Sequence, residues 1–152
     1  MPATPSTAQP PRAAPAGDLA AIHRLLQADK VAKADRLAER ALRRAPGDPT
    51  LLKIRARAAW KMGKPRRAVM LADRAVATAP GDDDALVMNA HFRHRSEGAA
   101  AAIAFLRAQD AAGGLGRRAR TALAELQVYS NAMLDAVVTL NRELADPEVD
   151  GY

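Results

Sequence analysis

The tetrapeptide Ala45-Pro46-Gly47-Asp48 returns as Ala79-Pro80-Gly81-Asp82, 34 residues later. Few folds keep so long an interval. Stacked helix-turn-helix units do, because each hairpin buries its apolar face against the next. Each copy follows an apolar-periodic run, Leu37 to Leu42 in the first case and Leu71 to Val76 in the second, and precedes the start of another. Proline and glycine just past such a run end a helix: one lacks the amide proton, and the other accepts the backbone angles that close the last turn. The feature predicts an all-α chain, a short α-solenoid of about four helix-turn-helix repeats.

Composition agrees with that class. The chain has 152 residues, 49% of them hydrophobic and only 3% aromatic. This is enough for one continuous core built from Ala, Leu, Ile and Val, and it suits helices packed closely through small side chains rather than a β-sandwich or barrel. Cysteine is absent, so disulfides, thiolate metal sites and cysteine nucleophiles are excluded.

Residues 1–16 hold Pro2, Pro5, Pro10, Pro11 and Pro15 among Ala, Ser and Thr and are expected to form a disordered arm. From Asp18, expected as an N-cap, Leu19, Ile22, Leu25 and Leu26 recur at helical spacing, and Val31 to Leu42 carries the next stripe. Further pairs are expected over Leu51–Met62 and Arg66–Thr78, over Asp84–Arg95 and Ala99–Ala111, and over Arg117–Tyr129 and Ala132–Leu144. Gly113-Gly114-Leu115-Gly116 is expected to be a flexible linker, and Pro147 to stop the last helix. The ordered repeat domain thus spans 17–146, followed by an acidic tail over 147–152.

Gly63-Lys64-Pro65-Arg66-Arg67-Ala68-Val69, with Ala75 and Pro80 after it, resembles the turn and second helix of the tetratricopeptide repeat family. Ala34, Ala41 and Pro46 occupy the same places one unit earlier; Ala90 and Ala102, then Ala124 and Ala136, do so later. Registers beginning at residues 15, 49, 83 and 117 place four units over nearly the whole helical region. Arg55 and Ala59 stand where the family favours larger residues, so the resemblance is to a divergent member.

The resemblance implies a concave groove lined by the first helix of each unit, with its fifth, ninth and thirteenth places pointing inward. In the second unit these are Lys53, Arg57 and Lys61. Independently of any family, spacing of four residues puts these three cations on one helix face. No acidic residue lies between Asp48 and Asp73, whereas Lys53, Arg55, Arg57, Lys61, Lys64, Arg66 and Arg67 are all basic, and the chain carries a formal charge of +6. Such a stripe does not help its own helix, so it points to an acidic ligand.

An acidic segment of a partner protein is the expected ligand, its carboxylates meeting the cations, its apolar side chains meeting Trp60, Met88 and Phe92, and His91 donating a hydrogen bond in the groove. Family members that clamp a C-terminal carboxylate use a lysine and asparagines; Lys53 matches the lysine place, while Arg57 and Met88 stand at the asparagine places. The alternative is a basic helical nucleic-acid-binding protein, against which the scarcity of aromatic rings counts. Trp60 is also read as an anchor between hairpins. The acidic end (Glu143, Asp146, Glu148, Asp150) is a candidate internal competitor folding over the stripe. Asp82-Asp83-Asp84 reads as charge favouring a helix N-terminus rather than a calcium site. His91 and His94 lack a third ligand for a metal. No nucleophile, paired-carboxylate or cofactor signature appears, so neither an enzyme nor a cofactor is expected. With no run of about 18 apolar residues, membrane insertion is not expected and a cytoplasmic adaptor is; docking into a larger complex or self-pairing would cover the solenoid ends.

Overall fold

The computed structural model describes residues 13–130 and 132–144, so most of the expected Pro-rich arm and all of the acidic tail from 147 onward lie outside the described residues. Among those described are eight helices and no strand: α1 (Ala16–Gln27), α2 (Val31–Arg44), α3 (Pro49–Lys61), α4 (Pro65–Thr78), α5 (Asp83–Glu97), α6 (Ala99–Gly113), α7 (Arg117–Tyr129) and α8 (Met133–Leu144). Consecutive helices pack as hairpins, each hairpin packs on the next, and α5 also packs directly against α7. The chain is an all-α solenoid. No helix among the described residues is long and apolar enough to cross a membrane.

The 34-residue period governs the backbone in all four units, including the two where the sequence signal fades. The turn inside each hairpin closes with an amide that reaches back five residues. Lys30 N donates to Leu25 O at 2.8 Å, Lys64 N to Ala59 O at 2.9 Å, Gly98 N to Arg93 O at 3.2 Å and Ala132 N to Gln127 O at 2.8 Å. This closure takes up carbonyls that the helix end leaves unpaired and requires a left-handed residue before the donor in the first two turns. Gly63 supplies it at φ 70°, and Asp29 supplies it at φ 55°, a conformation that aspartate tolerates better than most side chains.

Side-chain packing repeats with the same interval. Ala34, Ala68, Ala102 and Ala136 open the second helices and are at most 2% exposed, as expected where the absence of a longer side chain lets two helices approach. Ile22, Leu51, Leu52, Leu71, Leu86 and Leu106 fill the space between them. Arg55, the basic residue at an apolar place, is buried at 5% exposure. Its Nε donates to Asp35 Oδ1 of α2 at 3.0 Å, and Glu39 lies 3.4 Å from its other end. One unit later Asn89 takes the same place and donates to Asp73 at 2.7 Å, with Arg93 completing the group, so a buried polar link between hairpins recurs.

The second hydrogen-bonded landmark is the entry to each first helix. Asp48 caps α3 by accepting from Thr50 N and Leu51 N, and Asp82 caps α5 by accepting from Ala85 N. The next place in the series is Gly116, which has no side chain to offer. Asp83 fills the role from α5, accepting from Arg118 N at 2.8 Å and Ala119 N at 2.9 Å. Gly113–Gly116 is therefore not the flexible linker expected: Gly113 ends α6, Leu115 is 4% exposed in the core, and Gly116 sits against the Asp83 carboxylate. Asp18 is not an N-cap either. The fixed φ of Pro15 starts α1 earlier, and the Asp18 carboxylate meets Arg44 at 3.3 Å instead.

Candidate functional site

The fifth and ninth places of α3 reach acids at the entry of α5, and the corresponding places of α5 and α7 line shared clefts. On α3 the fifth, ninth and thirteenth places are Lys53, Arg57 and Lys61. Lys53 is half-buried; its Nζ lies 2.7 Å from Asp82 Oδ2 and 3.4 Å from Asp84 Oδ2. Arg57 reaches Asp84 Oδ2 at 3.0 Å, and Arg118 of α7 lies 3.6 Å from the other oxygen of that carboxylate. Two carboxylates thus answer three cations, while the third acid of the run, Asp83, meets the backbone amides of α7 beside Arg118. Lys61, exposed at the end of the helix, has no ion pair among the described residues.

The acids that meet Lys53 and Arg57 come from the run Asp82-Asp83-Asp84, and only folding makes them neighbours of the stripe. Partial burial pushes the Asp82 carboxyl up, but the hydrogen bond and charge of Lys53 and the backbone amides of Ala85 and Asp84 outweigh it and hold the group below its ordinary value.

Trp60 is half-buried and stacks on Phe92 of α5 with ring centres 4.8 Å apart and planes 14° from parallel, while His91 meets it edge-on at 6.3 Å. It joins the second hairpin to the third, the anchoring role considered from the sequence, and it holds exposed His91 beside it. Met88 does not line the groove. At 7% exposure it belongs to the core, because it lies one residue, or about 100° of helix rotation, past Val87, the fifth place of its unit.

Between α5 and α7 the inward places open two clefts. One of about 440 Å³ is lined by Val87, Arg117, Arg118, Thr121, Ala122 and Glu125. The other, of about 190 Å³, is more enclosed and apolar; Val87, Ala90, His91, Leu126 and Tyr129 form much of its wall, with His94 and Glu125 at the rim. Val87, Thr121, Glu125 and Tyr129 were missed by the sequence reading, although they stand at the offsets of Lys53, Arg57 and Lys61 carried forward by one or two periods. That arithmetic was the available signal. No group of three His, Asp or Glu side chains among the described residues is placed to hold a metal ion. The face therefore offers cations at one end and an apolar slot with a phenol and an imidazole at the other, which suits binding of an extended chain.

No protein-family model matches the sequence, and no curated protein sequence matches it. Solved structures do. The chain is similar to the tetratricopeptide domain of Sgt2 from Aspergillus fumigatus, with a TM-score of 0.64 at 18% identity over 78% of this chain and 82% of that one. It is similar to the first such domain of Spaghetti (RPAP3) bound to the HSP90 peptide SRMEEVD, with a TM-score of 0.62 at 16% identity over 76% and 91% of the two chains. The second such domain of human RPAP3, in complex with the HSP70 peptide SGPTIEEVD, gives 0.59 at 15% identity over 72% and 92%. At these identities the likeness is one of fold: the chain is a divergent, tetratricopeptide-like α-solenoid.

Proposed function

We propose that the chain is a protein-interaction adaptor that holds an acidic, extended segment of another protein along the face built by α3, α5 and α7. The observation that carries this reading is the continuity of the face: the Lys53, Arg57 and Lys61 places run on, one period at a time, into an open cleft lined by Val87, His91 and Tyr129. A peptide carboxylate has Lys61 as an unengaged cation, and Arg57 shares its carboxylate with two other cations. A bulky apolar side chain fills the smaller cleft, the kind of buried anchor that dominates binding energy at interfaces. The two similar structures with bound peptides, SRMEEVD and SGPTIEEVD, show acidic segments held by domains of this fold, which supports the same ligand chemistry here. A role within a larger assembly follows from the same face, since an adaptor binds without chemistry of its own.

Selection of a random-peptide display library on the full chain tests this. Enriched sequences should pair Asp or Glu with a bulky apolar residue, and their affinity should fall at least roughly 10-fold in Arg57→Glu/Lys61→Glu and in Tyr129→Ala, about the loss of one good charged or aromatic contact. Enrichment of uncharged sequences that bind all three proteins equally overturns the assignment.

A further inference from the structure

A second charged surface lies on the first hairpin, away from α5 and α7. The buried residues of α2, Ala34, Asp35, Ala38, Ala41 and Leu42, define its inner side. Lys33, Arg36, Arg40 and Arg43 follow at intervals of three, four and three residues and fall on the opposite side. With Leu25 of α1, Leu37 and one acid, Glu39, they line an open groove of about 640 Å³ in which cations outnumber the carboxylate four to one. A neighbouring groove of about 420 Å³ shares Leu25 and adds Arg24 and Lys30.

These cations keep an excess of charge because most of the nearby acids are engaged elsewhere. Asp35 and Glu39 turn to buried Arg55, and Asp18 turns to Arg44. None of Arg24, Lys30, Lys33, Arg36, Arg40 and Arg43 has an ion pair among the described residues, and the only hydrogen bond from this side-chain set is Arg36 Nε to the Ala32 carbonyl. Other surface arginines divide: Arg107 and Arg142 meet Asp135 and Asp110, whereas Arg66, Arg74 and Arg95 also have no ion pair among the described residues, so what distinguishes α2 is that its four cations share one helix face. Four like charges one helical turn apart repel one another, so this face gains from an anion that spans them.

We infer that the outer face of α2 binds the phosphate backbone of duplex nucleic acid without reading its sequence. Three of its four central cations are arginines, whose planar forks match phosphate oxygens. The face has no aromatic ring for the base stacking that single-strand binding uses, and its apolar floor, Leu25 and Leu37, is half-buried rather than standing out as a wedge for lipid. Lys33 to Arg43 covers about 15 Å of helix, a length over which a duplex carries about nine phosphates at one per ~1.7 Å, enough for each of the four cations. This site is separate from the peptide-binding face, and either assignment stands without the other.

Binding of a fluorescently labelled DNA duplex of roughly 20 base pairs to the full chain, measured across salt, tests the inference. About four phosphate contacts predict a roughly 100-fold loss of affinity between about 50 and 200 mM salt. Arg36→Gln/Arg40→Gln/Arg43→Gln should reduce the logarithmic salt slope by nearly 3, at about 0.9 per contact. Lys64→Gln/Arg66→Gln/Arg74→Gln, which removes the same charge from exposed positions on α4 and its entry, should keep the native slope; all six residues are exposed, and circular dichroism checks that both variants fold. Equal losses in the two variants would mean that net charge alone drives binding and would overturn the site. Duplex-independent capture of phosphatidylserine vesicles, or polyglutamate bound through α2 as tightly as the duplex, would overturn the choice of ligand.

Discussion

Asp83 and Gly116 form a coupled pair whose separation by thermodynamic cycle tests how the fourth unit is attached. The Asp83 carboxylate accepts from Arg118 N at 2.8 Å and Ala119 N at 2.9 Å, the amides that α7 itself cannot satisfy. Asp83→Ala should cost about 1 kcal/mol, the usual loss of an N-cap. A β-carbon at Gly116 would stand 2.7 Å from the Asp83 carboxyl carbon and within 2.9 Å of both its oxygens, and the carboxylate can yield only by leaving the amides. Gly116→Ala should therefore cost about 1 kcal/mol more in the native chain, by loss of the same cap, than in Asp83→Ala, where only alanine's poorer fit to an N-cap remains. The backbone at Gly116, φ −68° and ψ 171°, is already extended as at an N-cap, so adding Gly116→Asp to Asp83→Ala should recover about 1 kcal/mol by restoring the cap in the register of Asp48 and Asp82. Thermal unfolding followed by circular dichroism reads these differences, each worth about 3 °C in midpoint for a chain of this size. Hydrogen exchange at the amides of Arg118 and Ala119 localises them. A Gly116→Ala cost that is the same in both backgrounds, or no recovery with Gly116→Asp, would refute the reasoning.

Three other perturbations probe the repeat. Asp35→Ala leaves Arg55 buried without its nearest carboxylate and should lower unfolding stability by about 3 kcal/mol, whereas Asp35→Leu with Arg55→Met should stay within about 1 kcal/mol of native; chemical denaturation of the three proteins decides. Asp29→Gly relieves the left-handed strain at the first turn and should raise stability by about 0.5 kcal/mol, and a loss would show that the aspartate side chain has a use of its own. Because the Asp82 carboxyl is held below its unfolded value, its contribution is complete above the unfolded carboxylate value of about 4 and disappears as pH falls through the lower folded value. Acid unfolding of Asp82→Asn should accordingly be shallower below about pH 4, and an unchanged profile would show that folding does not lower the Asp82 carboxyl.

The sequence alone determined the architecture. The Pro-Gly-Asp recurrence, alanines at helix crossings and apolar stripes at helical spacing are local signals, and each acts through the backbone of its own hairpin, so the helices, their order and a period of 34 residues were legible. That Lys53, Arg57 and Lys61 share one face of α3 was legible for the same reason, since periodicity fixes direction along one helix. What the tertiary structure decided are the relations between helices. Asp83 caps α7 through amides 35 and 36 positions further along the chain, Asp82 and Asp84 neutralise much of Lys53 and Arg57, Asp35 buries itself against Arg55, and the α5–α7 packing opens the cleft at Val87 and Tyr129. Met88 was misplaced because one residue turns a helical side chain from surface to core, and only the packing of α5 shows which way. Charge counted along the chain says how many cations there are; which of them keep their charge for a partner depends on distances of a few ångströms between segments that the sequence sets far apart.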